Sequence, residues 1–76
     1  MNSTLFERFL DNLEIYLTIR NSYTDISKTL YDAGKDYYEV EEATEAIQDT
    51  LDSQKVILQN IFENMVRESV IKNGDV

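Results

Sequence analysis

The chain has 76 residues and a formal net charge of −8, and it contains no cysteine, histidine or proline. This length predicts one domain, spanning residues 1–76. The composition excludes disulfides and thiolate or imidazole metal ligands, and the acidic balance argues against direct binding to nucleic acid or to an anionic membrane. No apolar run approaches the roughly 18 residues of a membrane span, and no signal peptide is evident, so a cytoplasmic protein is expected.

The first predicted element is a long helix over about residues 4–33. Thr4 followed by Glu7 fits a capping box at its start. Its apolar face is read as two runs with a slip of roughly 100° between them. Either the helix is continuous, or it breaks near Ser22, where Ser22 and Asp25 form a second capping box. The two runs are Phe6, Phe9, Leu13, Tyr16 and then Ile19, Tyr23, Ile26, Leu30, Ala33.

A turn around Gly34 separates this helix from a second one, predicted over about residues 38–72. Glycine at this point suits a left-handed helix cap. The second helix carries apolar residues at spacings close to a heptad repeat, which indicates a long packing seam. The predicted seam consists of Val40, Ala43, Ile47, Leu51, Gln54, Leu58, Ile61 and Met65.

The pattern predicts an all-α helical hairpin. Two helices leave apolar side chains uncovered, so we expect two hairpins to pair as an antiparallel four-helix-bundle homodimer. The rival is a three-helix monomer with a break near Ser22. Phe9, Leu13 and Tyr16 on the first helix, with the second-helix seam, form the expected core or dimer seam. Gln54, Arg20 and Ser27 are polar residues on or near the seams, where such residues often fix register or oligomeric state.

The hairpin-and-dimer plan is similar in architecture to small plasmid copy-number regulators. Those proteins use a basic face to bind RNA, and this sequence offers no such face. The resemblance therefore implies the fold alone and no shared function.

The second helix also carries an acidic stripe on the side opposite its seam. No basic residue lies between Lys35 and Lys55. Five carboxylates over about 16 Å of helix give a charge spacing of roughly 3 Å, close to that of phosphates along a DNA strand. The stripe is either a nucleic-acid mimic that binds a basic groove or an ordinary solvated helix face. Its members are Glu41, Glu42, Glu45, Asp49 and Asp52.

Three tyrosines cluster around the turn. Exposed tyrosines favour interfaces, so Tyr37 and Tyr38 are candidate contact residues for a partner. In the alternative interpretation, Tyr31 and one of this pair close the end of the hairpin core.

No motif for catalysis or cofactor binding is found, so an enzyme is not expected, nor is a bound cofactor. The segment from Asp32 to Asp36 resembles a calcium loop only superficially. An EF-hand starting at Asp32 requires Gly and Glu where this chain has Tyr37 and Ala43. No residue is marked as an activated nucleophile.

The leading functional hypothesis is a small acidic inhibitor or regulator that occupies a basic surface of another protein, such as a nucleic-acid-binding enzyme. Inhibitors encoded by phages and mobile elements share this size and charge, which is an analogy of class. The alternative is a structural or assembly protein that works through its apolar seams.

Overall fold

A computed structural model of the chain describes the backbone of residues 3–74 and the side chains of residues 4–69. The described part is all-helical, with α1 over Ser3–Asp32, α2 over Tyr37–Ala43 and α3 over Glu45–Gly74. Helix α1 continues through Ser22, so the break considered there is absent. Within the described residues, no helix combines the length and the hydropathy required to cross a membrane.

The turn after α1 forms as the glycine predicts. Gly34 adopts φ +88°, a left-handed conformation that is strained for residues with a Cβ. The amide of Gly34 donates to the carbonyl of Tyr31, and that of Lys35 donates to the carbonyl of Leu30, so two carbonyls in the last turn of α1 are satisfied. Asp36 then caps α2, since its Oδ1 accepts the Glu39 amide at 2.8 Å.

The inward row of α1 is continuous, and the predicted slip of its apolar face is wrong. Phe6 and Ile26, which were placed in the seam, are exposed. The inward row includes two polar residues, Asn12 and Ser27, which do not stand out in an apolar pattern. With these included, the row keeps spacings of three and four throughout. It comprises Leu5, Phe9, Asn12, Tyr16, Ile19, Tyr23, Ser27 and Leu30.

Helices α1 and α3 pack as an antiparallel hairpin whose register is marked by two contacts. The rings of Phe9 and Phe62 lie 6.3 Å apart between centroids. Closer to the turn, the Nε2 of buried Gln54 donates to Oδ1 of Asn12 at 2.9 Å. It also donates to the main-chain carbonyl of Asn12 at 3.1 Å. A one-residue slide of either helix would break this amide pair and bury its polar atoms without partners.

The single second helix predicted over 38–72 is wrong, because Thr44 separates α2 from α3. Thr44 has φ −104° and ψ 6°, away from helical values near −63° and −42°. Ala43, which was placed in the seam, is exposed, and Thr44 takes the inward position instead. Three helices therefore exist, but the break lies in the second arm of the hairpin rather than near Ser22.

The hairpin has little core of its own. Among the described residues, only Val40 and Ile61 are buried apolar side chains, Val40 at 2% exposure. The chain measures 61 × 17 × 14 Å, so it is a rod about one helix pair thick. The remaining predicted seam residues are half-buried in the groove between the helices: Leu13, Tyr16, Ile47, Leu51, Leu58 and Met65.

The Gln54 and Asn12 pair generates a prediction about stability. In a double-mutant cycle of Asn12→Ala and Gln54→Ala, we expect a coupling of about 0.5–1 kcal/mol in the free energy of unfolding. The bond to the Asn12 main-chain carbonyl survives in Asn12→Ala, so the coupling reports the side-chain bond. Urea denaturation measures it, and additive single effects would show that the pair does not hold the register.

Candidate interaction surfaces

The predicted acidic stripe is divided between two helices. Glu42 lies on α2, whereas Glu45, Asp49 and Asp52 lie on α3, and all four side chains are exposed. Glu41 differs from them because it is half-buried, and its Oε2 accepts a hydrogen bond of 3.2 Å from Nε2 of Gln48. The solvent-facing stripe is therefore these four residues, and we call them the acidic stripe from here on.

The acidic stripe is not neutralised within the described part of the chain. The one ion pair found there joins Lys35 to Glu39 at 3.7 Å, beside the turn and outside the stripe. On α3 the three carboxylates recur at spacings of four and three residues, so they point to the same side of the helix. Their field is thus directed to solvent and is available to attract a cation or a basic surface.

A buried polar network holds the junction inside the stripe. Thr44 is fully buried, and its Oγ1 donates to the Val40 carbonyl at 2.7 Å. The same oxygen accepts Nε2 of Gln48 at 3.1 Å, and Gln48 also donates to Glu41. Threonine hydroxyls that bond back to the preceding turn tend to bend helices. The network therefore links α2 to α3 and sets where Glu42 stands relative to the α3 carboxylates.

Sequence reasoning missed Thr44 and Gln48 because the search for a seam followed apolar residues only. Val40, Thr44 and Ile47 have the same spacing of four and three as the rest of the seam. A threonine at that spacing was the available signal for a buried hydroxyl. Ala43, one position earlier, fits an apolar seam pattern but is exposed.

The tyrosines around the turn do not close the core. Tyr31 and Tyr37 are exposed, and Tyr38 is 81% exposed, so the interpretation of a plug is wrong. Val40 fills the end of the hairpin instead. The rings of Tyr37 and Tyr38 meet edge to face at 5.8 Å between centroids. This pair presents aromatic surface next to the N-terminus of α2, close in sequence to the acidic stripe.

The three polar residues expected at or near the seams have different surroundings. Gln54 pairs with Asn12 of the same chain, a partner that the sequence search did not identify. Arg20 is exposed. Ser27 faces the seam, and its Oγ is buried without a hydrogen-bond partner. Gln54 therefore helps to fix the register of the two long helices within one hairpin.

The described residues offer little in the way of an enclosed site. No group of three or more acidic side chains among them is arranged to hold a metal ion. One shallow groove runs along a single helix and is lined by Asp11, Glu14, Ile15, Thr18 and Ile19. The surfaces with a distinct chemical character are the acidic stripe and the exposed apolar side chains of the two long helices.

Comparison of the chain with protein-family models, with curated proteins and with solved structures gives no match. The functional argument therefore depends on the surfaces just described.

The junction network generates a second prediction. Thr44→Val keeps the side-chain volume but removes the hydroxyl, so the free energy of unfolding should fall by about 1–2 kcal/mol. The control is Thr50→Val, because Thr50 makes the same bond to a preceding carbonyl, that of Ala46, from an exposed position. Its expected cost is within about 0.5 kcal/mol. Equal effects of the two changes in chemical denaturation would contradict a structural role for the buried network.

Proposed function

We propose that this protein is a non-enzymatic binding protein of the cytoplasm that inhibits or regulates a larger macromolecule. It does so by placing the acidic stripe, with Tyr37 and Tyr38 beside it, on a basic surface of another protein. A nucleic-acid-binding enzyme is one class of partner that this chemistry fits, with the stripe standing in for a phosphate backbone. Inhibitors encoded by phages and mobile elements provide the analogy of class.

The observation that carries the proposal is the exposure of Glu42, Glu45, Asp49 and Asp52 without an ion pair in the described part of the chain. Surface helices commonly interleave opposite charges at i,i+4, which stabilises them. Here the like charges Glu45 and Asp49 stand four residues apart, which costs a few tenths of a kcal/mol. A basic partner surface would offset that repulsion.

The hairpin acts as a homodimer in this proposal, paired into an antiparallel four-helix bundle. Support comes from the small number of buried apolar side chains in the hairpin. A domain that buries so few is marginal unless a second subunit covers the remainder.

A second candidate function is a structural or assembly role through the apolar side chains. The exposure of Phe6, Leu10, Phe62 and other large apolar residues favours it. In this alternative the carboxylates serve only to prevent aggregation through charge repulsion. Salt separates the two candidates, because a charge-driven complex weakens steeply with ionic strength and an apolar one does not.

A charge-reversal experiment tests the acidic stripe. Immobilised wild-type protein and the double variant Glu45→Lys/Asp49→Lys are exposed to a lysate of the host cell, and retained proteins are quantified over a salt gradient. The matched control is Glu7→Lys/Asp11→Lys, which changes the net charge equally at two exposed acids four residues apart on α1. We expect the stripe variant to retain at least tenfold less of the proteins that bind the wild type. The control variant should retain about as much of them as the wild type does.

If both double variants retain equally little protein, binding depends on the net charge of the chain and not on the position of the carboxylates. Full retention by the stripe variant would remove the stripe from the mechanism and leave the apolar surfaces as the functional ones.

A further inference from the structure

One side of the hairpin is covered with apolar side chains from both long helices. On α1, Phe6, Leu10 and Leu17 each follow an inward residue by one position, which rotates them about 100° out of the seam. On α3, Phe62 and Val66 follow the inward residues Ile61 and Met65 in the same way. All five side chains are exposed. We call these five residues the apolar side.

The two rows share one side of the rod because the helices are antiparallel. Two right-handed helices that run in opposite directions turn in opposite senses when viewed from one end. The residue that follows an inward residue therefore lies on the same side of the rod in both helices. The contact of Phe9 with Phe62 lies between the two rows and joins them.

The exposed area of the chain exceeds what a compact monomer of its mass would show. The accessible surface is 5853 Å², whereas a compact monomer of 8.9 kDa exposes about 4,800 Å². The Cα radius of gyration is 17.5 Å, against about 11 Å for a compact domain of this length. The excess of about 1,000 Å² is close to the roughly 800 Å² that one partner contributes to a standard interface.

Charge also distinguishes the apolar side from the rest of the surface. The same two rows bring Arg20, Lys28 and Lys55 to this side, with a single carboxylate among the described residues, Asp52, which follows the inward residue Leu51. Other carboxylates, such as Glu7 on α1 and Asp49 on α3, are exposed and lie outside these two rows. Two copies with a net charge of −8 each would repel least if they met on the apolar side.

We propose that a second copy of this chain covers the apolar side, with Leu10, Leu17 and Phe62 at the centre of the contact. This inference rests on the dimer proposed above and identifies the face that it uses. It leaves Glu45 and Asp49 of the acidic stripe outside the contact in both copies. The dimer then presents two stripes, and a partner with two basic sites would gain affinity from binding both.

The opposite side of the hairpin is the rival contact surface. It exposes Ile15, Ile26 and Ile57, which are spaced farther apart. The groove around Ile15 is lined by Asp11 and Glu14, so a second copy docked there would bring carboxylates together. Leu17 and Ile15 form a matched pair, because they lie on the same helix at 43% and 47% exposure but on opposite sides.

Sedimentation equilibrium of Leu17→Glu and Ile15→Glu tests the proposal, with circular dichroism as a check on helix content. The wild type should show twice the 8.9 kDa chain mass. Leu17→Glu should raise the dimer dissociation constant at least tenfold, and Ile15→Glu should leave it within threefold. A monomeric wild type at about 100 μM, or a larger effect of Ile15→Glu, would overturn the assignment of the face.

A thiol-protection experiment keeps the proposal testable if Leu17→Glu unfolds. The chain has no cysteine, so Leu17→Cys and Ile15→Cys each introduce a single thiol. At a concentration where the wild type is dimeric, iodoacetamide should modify Cys at position 17 at least tenfold more slowly than Cys at position 15. Equal rates would contradict the proposed face. Neither experiment uses the acidic stripe, so the result is separate from that of the charge-reversal test.

Discussion

The thinness of the helical hairpin is the constraint from which the other features of this protein follow. Two antiparallel helices share a single groove, so each can bury only one row of side chains. Most apolar residues therefore remain half-buried or exposed, and Val40 and Ile61 alone are buried among the described apolar side chains. Hydrophobic stabilisation scales with the apolar area removed from water, and much of that area is still in contact with solvent in the isolated hairpin. In the proposed dimer, a second copy on the apolar side would remove part of that area from water.

Within that groove, polar residues determine the alignment. Gln54 and Asn12 satisfy each other across the two long helices, and Thr44 and Gln48 satisfy each other at the junction of α2 and α3. Apolar side chains tolerate a sliding contact, because their attraction has no preferred direction. Buried amides and hydroxyls do not tolerate it, because a lost partner costs about 1–3 kcal/mol. The register of the two helices then determines where the charged side chains lie, with Glu45 and Asp49 on the side of α3 away from α1.

The helical class, the turn at Gly34 and a second helix that begins near residue 38 could be predicted from the sequence, because glycine acts at the turn through local geometry. The long first helix was also expected, but the polar members of its inward row and the break at Thr44 were not. Both depend on polar residues in inward positions, whose burial is decided by a partner distant in sequence or by a neighbouring turn. The exposure of four stripe carboxylates follows from helical periodicity. The half-burial of Glu41 depends on Gln48, seven residues away, and required the structure.

The central claim is that the hairpin completes its fold by pairing with a second copy. The most direct test is the thermal unfolding midpoint measured over a hundredfold range of protein concentration. If folding and association are coupled, mass action adds about 2.7 kcal/mol over that range, and the midpoint rises by several degrees or more. A midpoint independent of concentration would show that the hairpin is stable alone, and would contradict the account.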